Sequence, residues 1–288
     1  MCADTAALVN KAISSTTTRR RIGATRREAI SPDLLCALNR GQIESATLAE
    51  WLAVDMAMLV GVVWRQLGLS KHNLPDASLL RSLGVTRRLE YIARSIELAL
   101  PTNRQKRAAT IRALTTHRAD IVRQWAAYLV GICARVDLYD RLEQIRPFAA
   151  DHNMSVRECA WMSLRPHVTS ELSRALNVLE PWVSDIDPNV RRFAIEITRP
   201  RGVWCNHIPE LKNAPQAGMA LLEIVRADPS DYVQRSAGNW LNDAGKSSPG
   251  WVKGLCVRWL QESDTPATVR IVRRAMRNIK TVDRQVVI

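Results

Sequence analysis

What this chain lacks narrows its class before any motif is read. None of its six cysteines (Cys2, Cys36, Cys133, Cys159, Cys205, Cys256) forms a Cys-x-x-Cys pair. That pattern suits reduced, buried thiols in a cytosolic protein better than a disulfide framework. Cys205 and His207 lie close together, but no second ligand pair accompanies them, so no metal site is expected. The longest apolar run, Trp51 to Trp64, is too short for a bilayer span and contains Asp55, and no signal peptide or membrane segment is expected. Alternating strand patterns of useful length are missing throughout, which leaves an all-α chain. Lysine is scarce as well, with only seven among 41 Lys and Arg residues.

Against those absences stands an excess of arginine. The formal charge is +13 and the pI about 10.1, and guanidinium groups suit bidentate phosphate contact, so a polyanionic partner is the first functional expectation. A GC-rich genome accounts equally well for the Arg/Lys ratio, but not for the net charge. With 288 residues and 47% hydrophobic content the chain can bury a large core.

One phrase recurs at the starts of expected helices: an aliphatic residue followed four positions later by alanine, with arginine or glutamine between. It occurs at Val122 to Ala126, Val156 to Ala160, Val190 to Ala194, Val233 to Ala237 and, more loosely, Ile271 to Ala275, at offsets of 34, 34, 43 and 38 residues. Such periods mark helical-pair repeats, which bury their apolar faces only by stacking. Arg165-Pro166 and Arg199-Pro200 repeat at the same offset of 34. The expected architecture is one right-handed HEAT-like α-superhelix over residues 31–281, preceded by a flexible basic arm at 1–30 and followed by a tail at 282–288.

Cap signals set the expected helix starts. They are Ser31-Pro32, Thr47 with Glu50 as a capping box before an apolar helix from Leu48 to Trp64, Asp187-Pro188, Asp228-Pro229 and Thr265-Pro266. A helix through Leu89, Ile92, Ile96 and Leu100 should stop at Pro101.

Helical spacing then sorts the second helix of each repeat into two faces. In the fourth copy Val233, Ala237, Trp240, Leu241 and Ala244 form the apolar stripe, and Arg235, Asn239, Asn242, Asp243 and Lys246 lie opposite. Equivalent polar positions are Glu158, Met162 and Arg165, then Arg192, Glu196 and Arg199, then Arg273, Arg277 and Lys280. Stacking sets these stripes side by side, giving a basic surface that contains Glu158, Glu196 and Asp243. Carboxylates repel phosphate but stabilise a developing cation. The alternative is that each acid is an ion-pair partner holding arginines in place. Trp161 lies one turn from Glu158 and either contacts a ligand or packs between helices.

The segment Tyr232-Val233-Gln234-Arg235-Ser236-Ala237-Gly238-Asn239-Trp240-Leu241-Asn242-Asp243, with Lys246 and Pro249, resembles a signature of the AlkC branch of the AlkC/AlkD-type DNA glycosylases. So do Val190-Arg191-Arg192 through Glu196 to Arg199-Pro200-Arg201, and the opening stretch with Leu38-Asn39, Gly41, Ile43-Glu44, Thr47-Leu48 and Val54-Asp55. The resemblance implies a HEAT-like superhelix that grips duplex DNA and excises cationic alkylated bases, of the 3-methyladenine and 3-methylcytosine class, without flipping them. It implies Asp243 and Glu196 as catalytic acids. Where the family has an acid four residues before Arg-Pro, this chain has Trp161, and Glu158 can supply the third carboxylate from one turn earlier. Trp161 is then a lesion-contact candidate.

The DNA-contacting set is expected to be Arg157, Arg165, Arg191, Arg192, Arg199, Arg235, Asn239, Lys246, Arg273 and Arg277. No metal or organic cofactor is expected, and the protein should be a monomer of the bacterial cytosol and nucleoid acting on alkylated double-stranded DNA. With no lysine poised beside the acids, hydrolysis without strand cleavage follows. Two other readings stay open: a noncatalytic DNA-binding solenoid, and a HEAT scaffold for an acidic protein.

Overall fold

The computed structural model describes residues 21–134, 136–202, 204–263 and 265–279. Among these residues the chain forms sixteen α-helices and no strand. It is an all-α superhelix of stacked pairs, as the repeats require. The five copies of the valine-alanine phrase open the second helices: α7 (Asp120–Ile132), α9 (Met154–Ser170), α11 (Pro188–Ile197), α14 (Asp231–Gly245) and α16 (Pro266–Met276). These pack consecutively, α7 on α9, α9 on α11, α11 on α14 and α14 on α16. The valines and alanines of the phrase are all at most 2% exposed. Where α7 meets α9 and α14 meets α16, small residues let the helices touch. A Cβ at Gly131 would stand 2.7 Å from the Ser163 carbonyl, and one at Gly238 2.8 Å from the Arg274 side chain.

The residue after each valine has a specific use. Arg123, Arg157 and Arg191 each donate to the backbone carbonyl six positions earlier, that of His117, Asp151 and Asp185, and Gln234 does the same to Asp228. This clasp closes the turn that enters each second helix, satisfying a carbonyl that would otherwise be orphaned near a packed interface. It explains why arginine or glutamine recurs there.

Several boundaries differ from the sequence expectation. Residues 21–30 are not a free arm. The Glu50 carboxylate, fully buried, accepts from Arg21 Nη1 at 2.7 Å, from the Ala24 backbone at 2.8 Å and from the Ala46 backbone at 2.8 Å, fixing this stretch onto the first repeat. The part of the expected arm at 1–20, Lys280 and the tail at 282–288 lie outside the described residues. The apolar run from Leu48 to Trp64 is two helices, α2 (Leu48–Ala53) and α3 (Met56–Gln66), because Asp55 caps the second by accepting from Ala57 N and Met58 N. α14 starts at Asp231 rather than at Pro229, since the Asp228 carboxylate is engaged by Arg191 at 2.7 and 2.9 Å. Caps at Ser31, Thr47, Asp187 and Thr265 are formed. The two Arg-Pro pairs are not equivalent: α9 runs through Pro166 to Ser170, whereas α11 ends at Ile197, before Pro200.

Candidate functional site

Stacking of α9, α11 and α14 assembles a ladder of alternating charge. Glu158 on α9 meets Arg192 on α11 (Oε1 to Nη2, 2.6 Å), and the same nitrogen is 3.5 Å from Glu196 Oε1. Glu196 Oε2 accepts from Arg199 Nη1 at 3.1 Å. Arg199 then turns its Nε and Nη2 to Asp243 Oδ2 on α14, at 2.9 and 2.7 Å, and Asp243 Oδ1 accepts from Lys246 at 3.1 Å. Three carboxylates from three successive repeats are thereby spaced by guanidinium groups. Helical spacing of three and four residues within α11 and α14 places these groups on one face.

Burial is unequal along the ladder. The Glu196 and Asp243 side chains are 4% and 6% exposed, Arg192 and Arg199 10% and 16%, and Glu158 31%. Burial pushes the Glu196 carboxyl upward, but the charges of Arg192 and Arg199 and hydrogen bonds from Ser236 and Arg199 outweigh it and hold the group below the ordinary carboxylate value. Burial likewise pulls down Arg192 and Arg199, and the neighbouring carboxylates more than restore them. Glu196 therefore stays an anion although it is buried.

A cleft of about 140 Å³ opens beside the ladder, walled by Glu158, Trp161, Arg165, Glu196, Arg199, Arg201, Gly202 and Trp204. Trp161 is 5% exposed and donates its ring N–H to Glu158 Oε2 at 3.0 Å, so it packs in the interior and shows only an edge to the cleft. Trp204 is 62% exposed. Asp243 stands on the far side of Arg199, outside these walls. A second, larger groove of about 470 Å³ lies between α14 and α16 and is walled by Asp231, Gln234 and five arginines, Arg235, Arg270, Arg273, Arg274 and Arg277.

The expected phosphate-contacting residues divide by burial. Arg235, Lys246, Arg273 and Arg277 are exposed and Asn239 is half-buried. Arg165 is interior: at 2% exposure it donates to the carbonyls of Ile197, Arg199 and Asn206, closing the end of α11, and burial lowers its pKa. Arg191 is bound by Asp228 in a bidentate pair. Neither has donors to spare for an external phosphate, which corrects the expectation for both. Arg157 is held by the Asp151 carbonyl and by Tyr232. The expectation that no lysine stands beside the acids is also overturned, because Lys246 lies three residues after Asp243 and folds back onto it.

Three participants were not singled out from the sequence. Ser236 donates to Glu196 at 2.6 Å, Arg201 reaches the Asp243 carbonyl at 3.2 Å and Ser247 at 2.6 Å, and Tyr232 lies beneath three arginines. Ser236 had a usable signal, since it faces the same side as Arg235 and Asn239 within one turn. Among the described residues no group of three or more His, Cys, Asp or Glu is clustered to hold a metal.

This arrangement recurs in a known structural class. The alkylpurine DNA glycosylase AlkC of Pseudomonas fluorescens, solved bound to DNA containing an abasic-site analogue, matches with a TM-score of 0.66 at 25% identity, over 88% of this chain and 65% of that one. The fold is of the AlkC/AlkD type. AlkD2 from Streptococcus mutans shares it, with a TM-score of 0.57 and 21% identity over 77% of this chain and 99% of its own. In sequence, the Bacillus subtilis protein YhaZ is 32% identical over 124 residues, 43% of this chain and 34% of YhaZ. The present chain thus covers about a third of that curated relative and just under two thirds of the AlkC chain. No protein-family model matches it. No helix among the described residues is long and apolar enough to cross a membrane.

Proposed function

We propose that this protein is a DNA glycosylase of alkylation repair, hydrolysing the N-glycosidic bond of cationic alkylated bases of the 3-methyladenine and 3-methylcytosine class in duplex DNA, as a monomer and without base flipping. The observation that carries the reading is the ladder itself: Glu158, Glu196 and Asp243 converge from three repeats in a strongly basic chain of AlkC/AlkD fold.

An N3-alkylated base already bears positive charge and departs without protonation, so no general acid is required. The enzyme has to stabilise an oxocarbenium-like sugar and place a water, the electrostatic task shared with glycoside hydrolysis. Asp243 takes that role, Glu196 assists from the adjoining cleft, and Glu158 contributes less because Arg192 and Trp161 engage both of its oxygens. Arg235, Asn239, Lys246, Arg273 and Arg277 supply the exposed phosphate contacts, which fix register without reading sequence. Lys246, as an ammonium paired with Asp243, donates hydrogen bonds and offers no lone pair to the sugar C1′, which supports hydrolysis without strand cleavage.

A noncatalytic DNA-binding role is the second reading, favoured by the pairing of every ladder carboxylate with a cation and by Trp161 in place of the family's acid. The deciding experiment is chromatographic detection of methylated bases released from alkylated duplex DNA by the purified protein. Release of 3-methyladenine or 3-methylcytosine supports the glycosylase. Salt-sensitive binding of the same duplex with no release assigns the chain to the noncatalytic reading.

A further inference from the structure

Tyr232 occupies the second position of α14 and touches three repeats at once. Its ring lies beneath the guanidinium carbons of Arg192 at 4.3 Å, Arg157 at 5.1 Å and Arg235 at 5.8 Å, and its hydroxyl accepts from Arg157 Nη2 at 3.2 Å. The three arginines come from α9, α11 and α14. Of these, Arg192 is the one that bridges Glu158 and Glu196.

Arg192 has an unusual deficit. It is 8% exposed, and its buried Nε–H has no oxygen acceptor. An unpartnered donor on a buried cation is costly, and the observed compensation is the Tyr232 π-face against the guanidinium. A desolvated cation over an aromatic face is the geometry in which this attraction is strongest. Arg192 is thus fixed from two sides, by carboxylates along its Nη2 edge and by the ring across its face. Leucine at position 232 would leave its rotation restrained only by the Nη2 contacts, and the separation of Glu158 and Glu196 would no longer be set.

We propose that Tyr232 is a positioning residue for the ladder: through the face of its ring it fixes Arg192, and through Arg192 the two carboxylates nearest the cleft. The proposal rests on the glycosylase reading for its effect on rate, but not for its effect on Arg192. It assigns the ring the essential part and the hydroxyl a lesser one, directed at Arg157. A residue that merely filled space would tolerate leucine and would not distinguish ring from hydroxyl.

The test compares Tyr232→Phe and Tyr232→Leu in the full chain by two readouts. Single-turnover base release at saturating enzyme should stay within about twofold of wild type for Phe and fall about tenfold for Leu. Independently, without DNA, the Arg192 Nε–H resonance, assigned by its loss in Arg192→Lys, should keep its ring-current shift and slow solvent exchange in Phe and lose both in Leu. A Leu variant that releases base at the wild-type rate overturns the proposal, as does an equal fall for Phe and Leu. If wild type releases no base, the glycosylase reading fails while the resonance decides the proposal alone: an Arg192 signal unchanged in Leu overturns it, and a lost shift upholds it. Should Leu fail to fold by circular dichroism, Tyr232→Trp takes its place, where a retained face predicts a retained signal and a lost signal overturns the proposal.

Discussion

Replacing Asp243 by asparagine keeps the side chain's shape and removes its charge. Arg199 would retain its Glu196 partner and a neutral oxygen at Asp243's position, while Lys246, nearly half exposed, would turn to solvent. One charge-assisted contact is therefore weakened rather than a buried cation orphaned, and the expected cost is about 1–2 kcal/mol, a fall of roughly 4 °C in Tm. The effect on catalysis is larger. Removing a fixed group that faces developing charge lowers rate by at least about 100-fold, close to 3 kcal/mol of barrier. DNA affinity should be equal or slightly raised, because two cations lose an internal competitor for phosphate. The assay is single-turnover release of 3-methyladenine from duplex DNA, with affinity and circular dichroism measured on the same preparation. Excision within about threefold of wild type would refute the catalytic assignment. Loss of folding would show that Asp243 serves to hold Arg199 and Lys246.

Other expectations separate architecture from binding. Arg165→Met should destabilise the fold by about 3 kcal/mol, since three carbonyls around the end of α11 lose their donor, and an unchanged urea midpoint would contradict that. Arg273→Ala and Arg277→Ala should each reduce the slope of log K against log salt by about 0.9, measured by fluorescence anisotropy, and unchanged slopes would remove the α14 and α16 groove from the DNA path. Glu196 has a folded pKa below its ordinary value of 4.5. Its charge therefore stabilises the fold above pH 4.5 and the contribution disappears as pH falls through the lower folded value. The Tm gap between wild type and Glu196→Gln should be full at neutral pH and close in acid; a gap that widens in acid would reverse the sign.

The repeat phrase made the superhelix legible because valine, alanine and the clasping Arg or Gln act within one turn and one interface. The same locality revealed the caps at Asp187 and Thr265. It failed where a side chain's partner lies in a neighbouring copy. Arg165 and Arg199 precede proline identically, yet one faces carbonyls of α11 and the other a carboxylate of α14, a difference set by what the next repeat presents. Asp228 read as a cap because its sequence neighbour is proline, but Arg191 of the preceding repeat claims it. The acids at 158, 196 and 243 could be aligned from sequence, whereas Tyr232 could not be picked out, since its three arginines converge only after stacking. Lys246 was visible as a polar-face residue, but its return onto Asp243 depends on the last turn of α14.

The ladder has a consequence for how far the site can act. Its three carboxylates and three cations, Arg192, Arg199 and Lys246, cancel, so seen from a distance the row is a string of opposed dipoles rather than a charge. The field of such a string decays much faster than that of a bare ion and is negligible beyond a few ångströms in salt. Long-range attraction of a polyanion is then left to the exposed arginines outside the row. Discrimination between a charged and a neutral base operates only at contact, after the duplex is already seated.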